Sequence, residues 1–310
     1  MRYRLPHARR PSEELLTVFP NILRKVKLFR PSRTLFPAGH FYSPYPDLKD
    51  IEGRRGAIFD RTSKEVPGID LREEQQVALV EQIAAQYYDD FPYQSAAEGN
   101  RFRLENGAFS CCDAVILFGM LRILKPSRVI EIGSGHSSAL MLDVNETFLD
   151  GKVDFTFIEP YPKLLESLIT PDDRGRVNVV GKPLHAVDQG VFGSLEPGDL
   201  LFVDSTHVSK TGSDVNEIFF EILPSLKRGT YIHIHDIFFP FEYPEEWIRE
   251  TRAWNEDYMV RAFLQNNPNY EIVLFNHFLG IHHRPALERL LPLATESTGG
   301  SLWLKKVGNG

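Results

Sequence analysis

The strongest constraint on this chain is a series of five short apolar runs between residues 128 and 236. They are "RVIEI" (128–132), "DFTFIE" (154–159), "VNVVG" (177–181), "DLLFVD" (199–204) and "TYIHIHD" (230–236), and helical stretches such as "SSALMLDVNETFL" and "GSDVNEIFFEILPSL" lie between them. Runs this short, bounded by turn residues and alternating with helices, describe a parallel sheet covered on both faces, a doubly wound α/β fold. Asp113 is placed to cap a helix "AVILFGMLRIL", which Lys125 and Pro126 end before the first run. The tail adds "YEIVLFNHF" (270–278) and "SLWLKKV" (301–307), two strands suited to antiparallel pairing.

The first seventy residues, rich in Pro, Arg and aromatics, lack clean periodicity. A helix follows in "LREEQQVALVEQIAAQYYDDF", where Val77, Val80, Ile83, Ala84 and Tyr87 recur at helical spacing. This divides the chain into an N-terminal extension with its helix, 1–104, and an α/β domain, 105–310. "GHFYSPYP" and "FFPFEYPEEW" mix aromatics with prolines, and His40, Phe41, Tyr42, Phe239 and Tyr243 are candidates for a lid over a site. Trp254, Tyr258 and Phe263 are expected in the core.

Composition excludes some functions. A net charge of -7 gives no global basic field, so nucleic acid is not an expected partner. The basic arm carrying Arg2, Arg4, Arg9, Arg10, Arg24, Lys25, Lys27, Arg30 and Arg33 reads as a solvated segment. No apolar run reaches membrane-spanning length. The two cysteines, Cys111 and Cys112, are adjacent and offer no disulfide framework, which suits a reducing cytoplasm.

In such a sheet, ligands bind beyond the carboxyl ends of the strands. The first run passes directly into Gly133-Ser134-Gly135, where the backbone can approach a ligand closely, and Ser137 and Ser138 can open the next helix. A pyrophosphate fingerprint needs a third glycine, and position 138 is Ser. The second run ends in Glu159, a carboxylate able to accept hydrogen bonds from ribose hydroxyls.

Taken in order, "VIEIGSGHSS", "FIEPYP", "LLFVDSTHV" and "LPSLKRGTYIHIHD" resemble the class I S-adenosylmethionine-dependent methyltransferases over residues 105 to 310. The resemblance implies a seven-stranded sheet whose last strand is antiparallel. It also implies that Glu131, Gly133, Ser134 and Gly135 line the methionine end of the cofactor and that Glu159 holds its ribose. Adenosylmethionine carries no phosphate, which agrees with the missing glycine.

The remaining strand ends collect polar groups. Asp204 ends one run, His207 follows three residues later, and His235 and Asp236 end the next. Two carboxylates with imidazole suit a divalent cation, or a general base steered by an acid. His233, mid-strand, reads as a packing residue. Hydroxyl methylation has a use for both devices, because an alcohol is a poor nucleophile until its oxygen is positioned and its proton removed. Here the sequence resembles metal-dependent O-methyltransferases of the macrolide-sugar type, which implies Asp204 and Asp236 as metal ligands and His207 as base. Those enzymes carry an acid where this chain has His235. That His removes a hard oxygen ligand: with His235 as a third ligand a divalent metal would be magnesium, manganese or zinc, the last two favoured by the softer donor, and a site without metal stays open.

These readings lead to an adenosylmethionine-dependent methyltransferase, with Asp204 and His207 catalytic and a small hydroxylated molecule as acceptor. Association of several copies stays open. So do two rivals, a nicotinamide-dependent oxidoreductase and a non-catalytic cofactor-binding protein.

Overall fold

Seven strands form one mixed sheet in a computed structural model that describes residues 35–94, 99–109 and 111–308. They are β1 (Arg128–Ile132), β2 (Asp154–Ile158), β3 (Val177–Val180), β4 (Leu200–Val203), β5 (Tyr231–Ile234), β6 (Tyr270–Phe275) and β7 (Leu302–Lys306). The order is β3-β2-β1-β4-β5-β7-β6. The first five strands run parallel, and β7 lies antiparallel between β5 and β6. The expected doubly wound sheet with an antiparallel last strand is therefore present. Strand order reverses between β1 and β4, which creates the crevice where such sheets bind ligands.

The apolar runs become strands because both faces are covered. Every residue of β4 is buried, as are four of the five in β1. Helices Cys111–Leu124 and His136–Phe148 pack beside them, each with a long buried stripe. Each large side chain removed from water contributes roughly 1.5–3 kcal/mol. Packing against helix Glu73–Tyr87 is close: a methyl added at Gly119 would meet Ile83 at 2.5 Å.

Several local expectations are corrected. Asp113 lies inside its helix rather than capping it, because its carboxylate accepts from the Asn276 amide at 2.9 Å and from the backbone N–H groups of Gly300 and Ser301 at 3.1 Å. Strand β6 stops at Phe275, and Asn276 opens the helix Asn276–His282, so "NHF" is helical. Helix 214–225 contains a wide turn at Ile218–Ile222, just before Pro224, whose missing N–H and ring disfavour ordinary helical bonding. Tyr258 is 42% exposed rather than core, its hydroxyl donating to Glu242.

By contact density the chain divides into Met1–Ile51 and Glu52–Gly310, so the helix Glu73–Tyr87 belongs with the sheet. Within the described part of the smaller unit, the rings of Phe36 and Phe41 each stack with that of His40, and the Tyr42 ring lies tilted against His40 and Phe41. Phe239 and Tyr243, proposed as lid residues, are buried in the larger unit. Phe239 packs on Phe275 and Phe278, and the Tyr243 hydroxyl accepts the Asp257 N–H at 3.1 Å, so neither is free to act as a mobile cover. The basic arm from Arg2 to Arg33 lies outside the described residues. No helix among the described residues is long and apolar enough to cross a membrane.

Candidate active site

Backbone hydrogen bonding continues one residue beyond the strands and gathers their ends into one rim. Gly133 N–H donates to Ile158 O at 2.9 Å, Glu159 N–H to Val180 O at 3.1 Å, Asp204 N–H to Ile132 O at 2.8 Å and His235 N–H to Val203 O at 2.9 Å. Gly133, Glu159, Asp204 and His235 therefore emerge side by side, and Asp236 follows.

The glycine turn shows why glycine stands there. Gly133 has φ +81°, and a methyl on it would lie 1.7 Å from the carbonyl oxygen of Asp204. The turn is thus pressed against the neighbouring strand end, leaving its other side open. Glu159 braces it: one carboxylate oxygen accepts the Ser134 N–H at 3.2 Å, the other the Tyr161 N–H at 2.7 Å. Two cavities flank the turn and share Gly133, Glu159 and Asp204. The larger, about 350 Å³, is walled by Ile132, Ile158, Pro160, Tyr161, Leu184, His185, Ser205, Thr206 and Lys210. The smaller, about 160 Å³, is walled by Ala108, Phe109, Ser134, Gly135, His136, Ser137 and Leu164.

Glu131 lies beneath the turn, fully buried. Its carboxylate accepts from the Ser137 hydroxyl at 2.5 Å and from that of Ser138, whose oxygen in turn accepts the Gly135 N–H at 3.0 Å. Burial raises its pKa to about 8, against the lowering effect of the serine hydroxyls. Ser137 and Ser138 thus secure the start of their helix through Glu131.

At the other end of the cleft, Asp204, His207 and Asp236 offer ligand atoms all within 4.8 Å of one another. His207 Nε2 lies 3.5 Å from Asp204 Oδ1 and 3.6 Å from Asp236 Oδ2. Both His207 and Asp236 take left-handed backbone conformations, φ 59° and 58°, which are uncommon outside glycine and concentrate at functional sites. Burial pulls the His207 pKa down, but hydrogen bonds to Asp204 and Glu256 and their charges outweigh it and hold the imidazole near 10. Burial pushes Asp236 up. Burial also opposes ionisation of Asp204, but the charges of His235 and His207 prevail and lower it.

His235 sits beside this group, stacked on Phe109 with ring centroids 5.1 Å apart. Its Nε2 is 3.7 Å from Asp236 Oδ1, and its Nδ1 is 3.5 Å from Ser301 Oγ. His233 is fully buried, stacked on Phe202 at 3.8 Å and bonded to Ser301 Oγ at 2.9 Å. It is the packing residue its mid-strand place suggested, with burial holding it neutral.

Sequence reasoning missed the partners that hold His207. Glu256 contacts His207 Nδ1 at 2.9 Å, and the Trp254 ring lies 4.4 Å from the imidazole. Both come from the segment before β6, nearly fifty residues downstream, where "NED" looks like ordinary helix-start chemistry. Ser205 was also missed; its hydroxyl oxygen is buried at the larger cavity without a hydrogen-bond partner among the described residues.

A crevice at the strand-order reversal, a glycine turn against it and a carboxylate at the next strand end define a cofactor-binding α/β domain. Residues 130–237 match the family model described as a methyltransferase domain. An uncharacterized protein of Archaeoglobus fulgidus is 36% identical over 197 residues, covering 59% of this chain and 87% of that protein. Among solved structures, the SAH-bound methyltransferase PaMTH1 of Podospora anserina is similar at 16% identity and TM-score 0.42, over 89% of this chain and 99% of that one. The SAM-bound O-methyltransferase TomG of Streptomyces achromogenes, involved in tomaymycin synthesis, is similar at 14% identity and TM-score 0.41, over 84% and 96%. This chain belongs to the class I S-adenosylmethionine-dependent methyltransferases. The site fits that cofactor: the turn tolerates no side chain at Gly133, Glu159 faces both cavities, and the buried Ser205 hydroxyl has no hydrogen-bond partner among the described residues.

Proposed function

We propose that the protein transfers the methyl group of S-adenosylmethionine to a hydroxyl of a small acceptor. The observation that carries this reading is the grouping of Asp204, His207 and Asp236 at the edge of the cofactor crevice, Asp204 bordering both cavities.

In this reading Gly133, Ser134 and Gly135 bind the methionine end, with Glu131 fixing the turn from below, and Glu159 accepts from the ribose hydroxyls. Adenosylmethionine supplies an electrophilic methyl, so the chain's own task is to present an oxygen in line with it and take that oxygen's proton. His207 Nε2 is the proton acceptor. Asp204 and Asp236, with His235 beside them, have the donor chemistry to hold a magnesium, manganese or zinc ion. Such an ion would lower the pKa of an acceptor oxygen bound to it. Asp204 at Nε2 and Glu256 at Nδ1 both favour the protonated imidazole, so an ion neutralising Asp204 would remove one of these two influences and shift His207 toward its base form.

Small molecules and metals that co-purify with the protein, identified by mass spectrometry, supply the acceptor for a methyl-transfer assay. His207→Ala is expected to lower kcat by about 100-fold or more, the size of a lost general base. Divalent-ion affinity should survive in His207→Ala and fall in Asp204→Asn and Asp236→Asn. Unchanged turnover in His207→Ala between pH 6 and 9 would remove it as base, and equal ion affinity in all three variants would remove the metal.

A further inference from the structure

The side chain of Glu256 is the least expected feature of the site. It begins the helix Glu256–Leu264, a position where a carboxylate ordinarily remains in water and is stabilised by the helix dipole. Here it is fully buried. Taking a carboxylate out of water costs several kcal/mol unless it is well paired. One oxygen bonds His207 Nδ1 at 2.9 Å, and the other has no hydrogen-bond partner among the described residues. A carboxylate serving only to hold the fold together would be expected to engage both oxygens with backbone donors, as Asp113 does.

The fold around it is secured without that side chain. The N–H groups of Asn255 and Glu256 both donate to His207 O, at 3.0 and 3.2 Å. The Asn255 side chain accepts from Ser209 N–H at 2.6 Å and donates to Ser209 O at 3.1 Å. These four bonds clasp the helix start to the loop after β4. What the carboxylate adds is control of the imidazole, whose ring Trp254 also contacts and whose backbone is left-handed.

We propose that Glu256 is the positioning residue for His207: its carboxylate takes the Nδ1–H and leaves Nε2 facing the space between Asp204 and Asp236. A hydrogen bond at one ring nitrogen decides what the other can do, so Glu256 settles which imidazole atom meets the acceptor. This rests on the assignment of His207 as base. It predicts that the Nδ1 proton is shielded from exchange and shifted strongly downfield by its carboxylate partner.

Proton NMR of the uniformly 15N-labelled full chain reads that proton, and the backbone amides beside it, without any acceptor or metal. The wild type should show a downfield ring N–H resonance that disappears in His207→Ala. Glu256→Gln should move it upfield or abolish it while the backbone amides of Asn255 and Ser209 stay in place. Glu256→Asp, one methylene shorter, should weaken it. Should the Gln variant fail to fold, the comparison of wild type with His207→Ala still decides: no downfield resonance dependent on His207 overturns the proposal. An unaltered resonance in folded Glu256→Gln overturns it too. Failure of the base assignment is distinguishable, since it would leave this resonance intact while His207→Ala kept full turnover.

Discussion

The two halves of the cleft are built from different materials. The half at β1 and β2 is made of backbone and neutral hydroxyls around one buried acid: Gly133, Ser134 N–H, Ser137 and Ser138 over Glu131, with Glu159 at the border. The half at β4 and β5 is made of charges, with Asp204, Asp236 and Glu256 around one imidazole. The first suits a cofactor that keeps the same shape in every turnover, because backbone positions are fixed by the sheet itself. The second suits proton transfer, because its groups can exchange charge with a bound ion or acceptor. Each half thus carries its own shifted group, a buried acid under the turn and an imidazole among carboxylates where the acceptor would lie.

The halves meet at Gly133, so the largest effect is expected there. In Gly133→Ala the new methyl would overlap the Asp204 carbonyl, and the left-handed backbone would cost a further ~1–2 kcal/mol. Cofactor affinity should fall by about 100-fold, or ~3 kcal/mol, and the polar group should be displaced with it. Calorimetry on the purified variant checks this. Affinity within a factor of three of wild type would mean that the two halves are not mechanically joined.

A smaller effect separates them. The folded state holds the Glu131 proton to about pH 8, whereas the unfolded chain loses it near the ordinary glutamate value of ~4.3. Between these the native state binds more protons, so this group's contribution to stability is full below ~4.3 and is lost as pH climbs toward 8. Glu131→Gln cannot ionise. Its melting temperature relative to wild type should rise steadily from pH 5 to pH 8, and parallel melting curves across that range would contradict the assignment.

The same contrast explains what the sequence displayed. Strands, crossing helices and the glycine turn repeat a periodic pattern over a few residues, and "RVIEIGSGHSS" shows its bend and helix start in one line. Asp204, His207 and Asp236 were legible because each sits at or just after a strand end. Glu256 and Trp254 were not, because their importance comes from a helix start folding back onto a loop 49 residues earlier. Burial was equally hidden: Phe239 and Tyr243 look like exposed aromatics among prolines until their neighbours are known. Asp113 misled for a related reason, since a carboxylate ahead of an apolar run suits a cap as well as a distant tie to Ser301.

In the proposed reading the turn at Gly133 and the carboxylate of Glu159 hold the cofactor. Titrating S-adenosylmethionine calorimetrically into wild type and Glu159→Ala tests it most directly. One site per chain in the wild type is expected, weakened roughly 10- to 100-fold in the variant by the loss of charge-assisted hydrogen bonds. Equal binding by both proteins, or none by the wild type at millimolar cofactor, would contradict it.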